Sequence, residues 1–292
     1  MMDESYLPKE GSRPCHIYQV FLAVFHSIVF CIGLPVHCWA FYRLYRLYKS
    51  GSRVPVFLTN LLIPTSLQLL TLPVLTHITV DLENWNRSFR LCVAASCIFC
   101  ISAFSTVGFL VCVAMEKYLH VAQPAWSQQA NTLRFPLSIS LGIWGVYVFI
   151  LGVGVTYPFA TSQAAVGYIL FSVVTVFFLP LVPLAFFCIG TLRSLAAASA
   201  VTRGKRRHTQ RTLALIVLVI ALVHCPFSLT CMIYFISTLG TYPMILSIEI
   251  LVPMAVPLDL NLVLCLAVFV RERPREVKDS SNDPRVEETG QD

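Results

Sequence analysis

Few side chains in this sequence could do chemistry inside an apolar interior, and they are scattered. His26 and His37 stand near the start, His224 and Asp259 toward the end, each within a strongly apolar run. A metal-dependent hydrolase in such surroundings needs three or four convergent His, Cys or carboxylate ligands. No two of these four share a ligand spacing such as i, i+4, so the pattern gives that rival enzyme little support. A retinal pigment needs a lysine amine inside its last apolar segment to form a Schiff base. Lys9, Lys49, Lys117, Lys205 and Lys278 all fall at or beyond the ends of apolar runs. Retinal is excluded. What remains is a set of histidines hydrogen-bonded between packed segments and a charged triplet, Glu116-Lys117-Tyr118, closing one run. The expectation is no catalytic residue, no metal and no cofactor.

The elements that must position these residues follow from composition. Of 292 residues, 57% are hydrophobic and 12% charged, with a mean hydropathy of +0.73. A soluble domain carries roughly a quarter charged residues. Half that charge suits a solvent of lipid tails and leaves no basic surface for nucleic acid. Seven runs reach the roughly 20 apolar residues that a span requires. They are Ile17–Phe41, Val54–Val80, Leu91–Met115, Phe135–Thr156, Val166–Leu195, Thr212–Leu239 and Pro243–Val270. They are too long and continuous to be barrel strands. The fold class expected is an all-α membrane protein, a seven-transmembrane helix bundle.

Charge orients the bundle. Seventeen of the 21 basic residues fall on one side, including Arg43, Arg46, Arg203, Arg206 and Arg207. Positive charge is retained in the cytoplasm, so the N-terminus is expected outside and the C-terminus inside. Residues 1–16 then form an extracellular N-terminus, 17–270 the transmembrane domain and 271–292 a short cytoplasmic tail. The first fifteen residues lack the apolar core of a signal peptide. The tail holds no cysteine for a lipid anchor.

The order of landmarks resembles the rhodopsin-like G-protein-coupled receptors over Gly33 to Phe269. Trp85 stands seven residues before Cys92, as in that family's first outer loop and third helix. Glu116-Lys117-Tyr118 looks like its Asp/Glu-Arg-Tyr motif, followed by Leu119-His120-Val121-Ala122-Gln123-Pro124. Trp144, Pro180 and Pro226 fall where its markers for helices four, five and six stand. Gly33-Leu34-Pro35 and Thr71-Leu72-Pro73 look most like the branch containing nucleotide, lipid and proton-sensing receptors.

The departures are as informative. His37 stands for the family's helix-one asparagine and Thr65 for its helix-two aspartate. Its helix-seven motif reads Asn261-Leu262-Val263-Leu264-Cys265, and its helix-six aromatic is His224, two residues before Pro226. Without the helix-two carboxylate a sodium ion loses its main ligand, since a hard cation prefers anionic oxygen. Asp259, buried near the end of span seven, needs a partner, and His37 is the candidate. The family's outer disulfide is missing, because no cysteine lies between Cys112 and Cys188. A Cys15–Cys92 disulfide is conceivable instead, although the resemblance does not place helix one next to helix three at the outer face and bridging needs Cα atoms within about 7 Å. Asn86-Arg87-Ser88 is a glycosylation sequon on the outer side.

The resemblance places a ligand among Leu75, Phe99, Ala103, Ser172, Phe227, Cys231, Leu251 and Ala255. Phe99 occupies the site of the amine-binding aspartate, and spans six and seven offer no cation for a phosphate. Such a cavity favours a lipid or another apolar small molecule, reached sideways through the membrane lipid because the linker Tyr157–Ala165 is too short for a lid. The implied partner is a heterotrimeric G protein, coupled through Glu116, Lys117, Tyr118, His224, Pro226, Asp259, Asn261 and the basic loop Arg203–Arg211. A receptor-shaped scaffold that has lost signalling is the alternative. Titration of His16, His77 and Glu249 keeps a proton-sensing receptor open as another. The expected setting is the cell membrane, crossed several times.

Overall fold

The computed structural model describes residues 13–50, 55–80, 85–123, 134–156, 174–197, 203–226, 229, 265 and 267–268. Among these residues the regular structure is entirely helical. The main helices are α1 (Arg13–Lys49), α2 (Val56–Val80), α3 (Trp85–Ala122), α4 (Arg134–Thr156), α5 (Leu179–Ala197) and α6 (Arg203–Val219). A π-helical turn, Val174–Phe178, leads into α5, and another, Ile220–His224, continues α6. Four segments are long and apolar enough to cross a membrane: Val20–Lys49, Val56–His77, Ile101–Ala122 and Leu179–Ala197.

α3 is the axis. It packs against α2, α4, α5 and α6, while α1 packs on α2. The centre is built from Leu61, Leu62, Leu69 and Leu72 of α2, Val107, Phe109 and Leu110 of α3, and Ile216 and Val219 of α6. Lipid tails are as apolar as leucine, so these helices gain little from hiding leucine. Close packing and interhelical hydrogen bonds associate them instead. The distribution of side chains shows this. Large apolar groups such as Phe21, Phe149, Val182 and Phe186 face outward, while His26, His37, Thr65, Gln68 and Thr106 are buried. Gly108 lets α4 approach, because a Cβ there would lie 3.2 Å from Ile143 Cγ2.

The helices overrun the apolar runs that specify them. α1 continues past Phe41 to Lys49 because Leu44 keeps its inward stripe going. α3 begins at Trp85, so the residue expected in an outer loop heads a helix instead. No proline or glycine lies between Trp85 and Cys92 to stop it. α6 begins nine residues before Thr212, because Thr209 already lies on the buried stripe of Leu213 and Ile216. Span five was expected from Val166, which lies outside the described residues.

Pro226 acts on its helix by an identifiable device. Proline carries no N–H, so Pro226 leaves the carbonyl four residues earlier without its helical donor. The chain widens just ahead of it, and the Cys225 N–H donates to Ile220 O, five residues back. Such turns inside helices are frequent at functional sites. His224 closes this one and is buried.

Candidate functional site

Two polar constellations emerge, one in the middle of the bundle and one at the end where Lys49, Ala122 and Arg203 lie, here called the basic end. In the middle, His37 of α1 meets Thr65 of α2, with Nε2 3.2 Å from Oγ1. The other ring nitrogen, Nδ1, lies 2.9 Å from the Gly33 carbonyl. A carbonyl can only accept, so Nδ1 carries the proton and donates it. Nε2 of the neutral ring is then an acceptor for the Thr65 hydroxyl. That hydroxyl also lies 3.1 and 3.0 Å from the Leu61 and Leu62 carbonyls. Two departures from the family pattern are thus one departure: the histidine and the threonine satisfy each other. Asp259, the candidate partner for His37, lies outside the described residues.

A second interhelical bond runs from Trp144 Nε1 of α4 to Asn60 Oδ1 of α2, at 3.2 Å. The indole also meets the Phe109 ring, 5.8 Å between centroids. Trp144 was legible as a marker; Asn60 was missed. Its signal was an amide in an otherwise apolar run.

At the basic end α3 finishes with the charged triplet. Glu116 Oε1 lies 3.6 Å from His120 Nε2, one turn on. Both side chains are substantially exposed, so this pair adds little stability but draws the carboxylate toward the helix end. Tyr118 turns to α5. Its ring stacks with Phe186 and Phe187, at 5.6 and 5.7 Å between centroids, and lies over Gly190. A Cβ at Gly190 would come within 2.6 Å of the ring. Gly190→Ala is therefore expected to destabilise by about 1–3 kcal/mol, the usual range for overpacking. Thermal unfolding of Gly190→Ala in wild-type and Tyr118→Leu backgrounds checks this. An undiminished penalty beside leucine would remove Tyr118 as its cause.

Of the expected ligand contacts, three are among the described residues, and all belong to the bundle's hydrophobic core or pack on it. Phe99 and Ala103 of α3 are buried, and Leu75 of α2 packs against the same core. Ser102 Oγ, in the same stretch of α3, is buried with no hydrogen-bond partner among the described residues. Ser172, Phe227, Cys231, Leu251 and Ala255 lie outside the described residues, as does Asn261. Asn86 and Cys92 lie in the first turns of α3, and Cys15 in the first turn of α1; their side chains are not described. α2 stands between those two helices. Cys265, where the family has a tyrosine, is helical and buried. Among the described residues no three His, Cys, Asp or Glu side chains converge as a metal site.

Comparison with known proteins gives the same direction. Residues 36–156 match the 7 transmembrane receptor (rhodopsin family) profile. The chain is 33% identical over 144 residues to the platelet-activating factor receptor of Macaca mulatta, covering 46% of this chain and 69% of that receptor. It is 27% identical over 128 residues to human G-protein coupled receptor 68, covering 44% of this chain and 35% of that one. It is 28% identical over 131 residues to human CX3C chemokine receptor 1, covering 45% and 36%. The aligned part of the chain spans little more than a third of the length of these two human relatives.

Proposed function

We propose that this chain, which belongs to the rhodopsin family of seven-transmembrane receptors, couples to heterotrimeric G proteins with shallow, partly ligand-independent switching. Membership makes it a multi-pass protein of the cell membrane and a receptor rather than an enzyme. The observation that carries the coupling proposal is the triplet Glu116-Lys117-Tyr118 at the end of α3, with Tyr118 seated on Gly190 of α5. It keeps the family's coupling position built while changing its cation from arginine to lysine. Expression without ligand, with a second-messenger readout for each G-protein class, tests the proposal. A response in at least one class is expected. Silence in every class at all expression levels would leave the scaffold reading as the better one.

The orientation belongs to this reading: basic end inside, N-terminus outside, with Asn86 then available for glycosylation. An epitope tag at the N-terminus is expected to stain intact cells. A C-terminal tag is expected to stain only permeabilised ones, and staining of intact cells would reverse the topology.

The names of the relatives point to unlike ligands, platelet-activating factor for one and a CX3C chemokine for another. The ligand class therefore rests on this chain's own residues. Phe99, Ala103 and Leu75 offer apolar surface, and Ser102 Oγ one polar atom to fix orientation, the usual composition of a small-molecule site. An apolar ligand follows, with Phe227 a further contact. Truncating an aromatic contact removes large apolar area, so Phe99→Ala is expected to weaken an apolar agonist by about tenfold or more. A screen of lipids against amines and nucleotides, repeated on Phe99→Ala and Phe227→Ala, decides it. A nucleotide or amine agonist, or potency unchanged in both variants, would end this assignment.

A further inference from the structure

From Arg203 to Val219 α6 is an α-helix, and over Ile220–His224 it is a π-helical turn. The Cys225 N–H reaches five residues back to Ile220 O instead of four, so the turn holds one residue more than an α-helix would place there. The cause stands beside it. In an unbroken helix the Pro226 ring would clash with the Leu222 carbonyl, and the widened turn relieves that contact. The turn is therefore a compromise between two costs, the rare π geometry and the proline clash. Absorbing the extra residue into the α-helix removes the first cost and restores the second.

Each residue of an α-helix is a step of about 100° around the axis and about 1.5 Å along it. With the part beyond Pro226 held, absorbing one residue turns the segment Arg203–Val219 by one such step. Every inward position is then taken by the next residue in the chain. The present inward stripe is Thr209, Thr212, Leu213, Ile216 and Val219. Its successor is Gln210, Leu213, Ala214, Val217 and Ile220, which carries no charge. Ala214 and Val217 are exposed in the present register. Thr212 loses little by leaving, since its hydroxyl donates to the His208 carbonyl of its own helix at 3.2 Å and takes that bond along. A step in the opposite direction would carry Arg211 inward instead. The sequence thus fills two inward stripes one residue apart, in the direction that absorbing a residue dictates. By the same rotation Arg206 replaces Lys205 on the inward side at the basic end.

We propose that the π-helical turn Ile220–His224 is a one-residue register switch, which exchanges the two stripes and presents either Lys205 or Arg206 at the mouth of the basic end. The change is one of register rather than of bend. Packed helices that fit together in two discrete ways pass from one to the other instead of deforming continuously. Arginine offers a planar fork where lysine offers a point charge, so the two registers show different chemistry to whatever docks at that end. The switch itself does not rest on coupling to a G protein; only its effect on signalling rests on that reading.

The experiment is a pulsed electron-spin distance measurement on the full chain in lipid nanodiscs, without G protein. The spin labels are carried by a ketone-bearing amino acid at Gln123, exposed just after α3, and at Lys205, which leaves the native cysteines unlabelled. Wild type is expected to show two distances separated by up to about 8 Å, the sweep of a side chain through about 100° at a helix radius of roughly 5–6 Å. Deleting Ala221, exposed within the turn, removes the extra residue and is expected to leave one distance, that of the present stripe. Pro226→Ala removes the clash and is expected to raise the share of the other distance severalfold. A single distance in the wild type would overturn the proposal, as would two distances whose shares neither variant changes. Should the deletion variant fail to accumulate, Pro226→Ala decides alone: unchanged shares would mean that the turn is a fixed accommodation of the proline. Because no G protein is present, failure of the coupling proposal leaves these distances unaffected.

Discussion

Replacing Lys117 by alanine is expected to lower ligand-independent second-messenger output about tenfold, with surface expression unchanged. The residue stands in the last turns of α3, one position after Glu116 and one before Tyr118. Tyr118 is fixed to α5 by Phe186, Phe187 and Gly190, so the backbone beneath Lys117 is held. A charge-assisted hydrogen bond is worth about 1.5–3 kcal/mol, which is the source of the tenfold figure. Arginine at this point would offer a planar fork of five donors; lysine offers a compact charge with three. Glu116 meanwhile lies 3.6 Å from His120, a competing neighbour that is expected to loosen its hold on a cation in the resting state. Both effects flatten the difference between states. A ligand can shift an equilibrium only by its differential affinity for the two states. Lys117→Arg is therefore expected to lower basal output and raise the ligand-driven increment. The check is a second-messenger assay of wild type, Lys117→Ala and Lys117→Arg at matched surface density. Basal output unchanged in Lys117→Ala would remove this residue from coupling.

The helices could be read from hydropathy because a bilayer forces every backbone polar group to be satisfied within its own segment. Trp144, Pro226 and the triplet of α3 were legible for a similar reason, each being a residue type whose position in a helix has consequences. Partnerships were less legible. His37 and Thr65 are 28 positions apart and read as two independent losses, because spacing says nothing about contacts between helices. Only the packing of α1 on α2 makes them a pair. Asn60 was passed over for the same reason: its amide needs the Trp144 indole of α4 to show its purpose. Helix ends were read short, since the apolar run stops at the lipid boundary whereas the inward stripe does not. Arg203 to Arg211 consequently looked like a loop with a net charge. As a helix the same residues have sides, and the sides separate the arginines from the buried threonine.

The pairing of His37 with Thr65 carries a second large expectation, which concerns stability. Both side chains are buried, at 3% and 1% exposure, and Nε2 and Oγ1 are 3.2 Å apart. Thr65→Val keeps the shape and removes the hydroxyl, leaving Nε2 against a methyl group. Stranding a buried polar atom costs about 1–3 kcal/mol, although interhelical bonds in membranes average nearer ~0.6 kcal/mol. A loss of about 1–2 kcal/mol, or roughly 2–6 °C in Tm, is expected. His37→Leu is expected to cost a similar amount, since it strands nothing on Thr65 that the Leu61 and Leu62 carbonyls cannot hold but leaves the ring's volume imperfectly filled. Combining the two removes both polar partners, and the double variant is expected to lose less than the sum, as is usual when a pair is replaced by apolar groups of like shape. Additive losses would mean that the two side chains are stable separately and that their contact does nothing. The same pair bears on sodium. A neutral hydroxyl beside an imidazole offers no anionic oxygen to a hard cation, so exchanging sodium for N-methylglucamine at constant ionic strength is expected to leave the wild-type Tm unchanged. A rise in sodium alone would require a carboxylate elsewhere in the bundle to hold the ion, and would separate the polar centre from the His37–Thr65 contact.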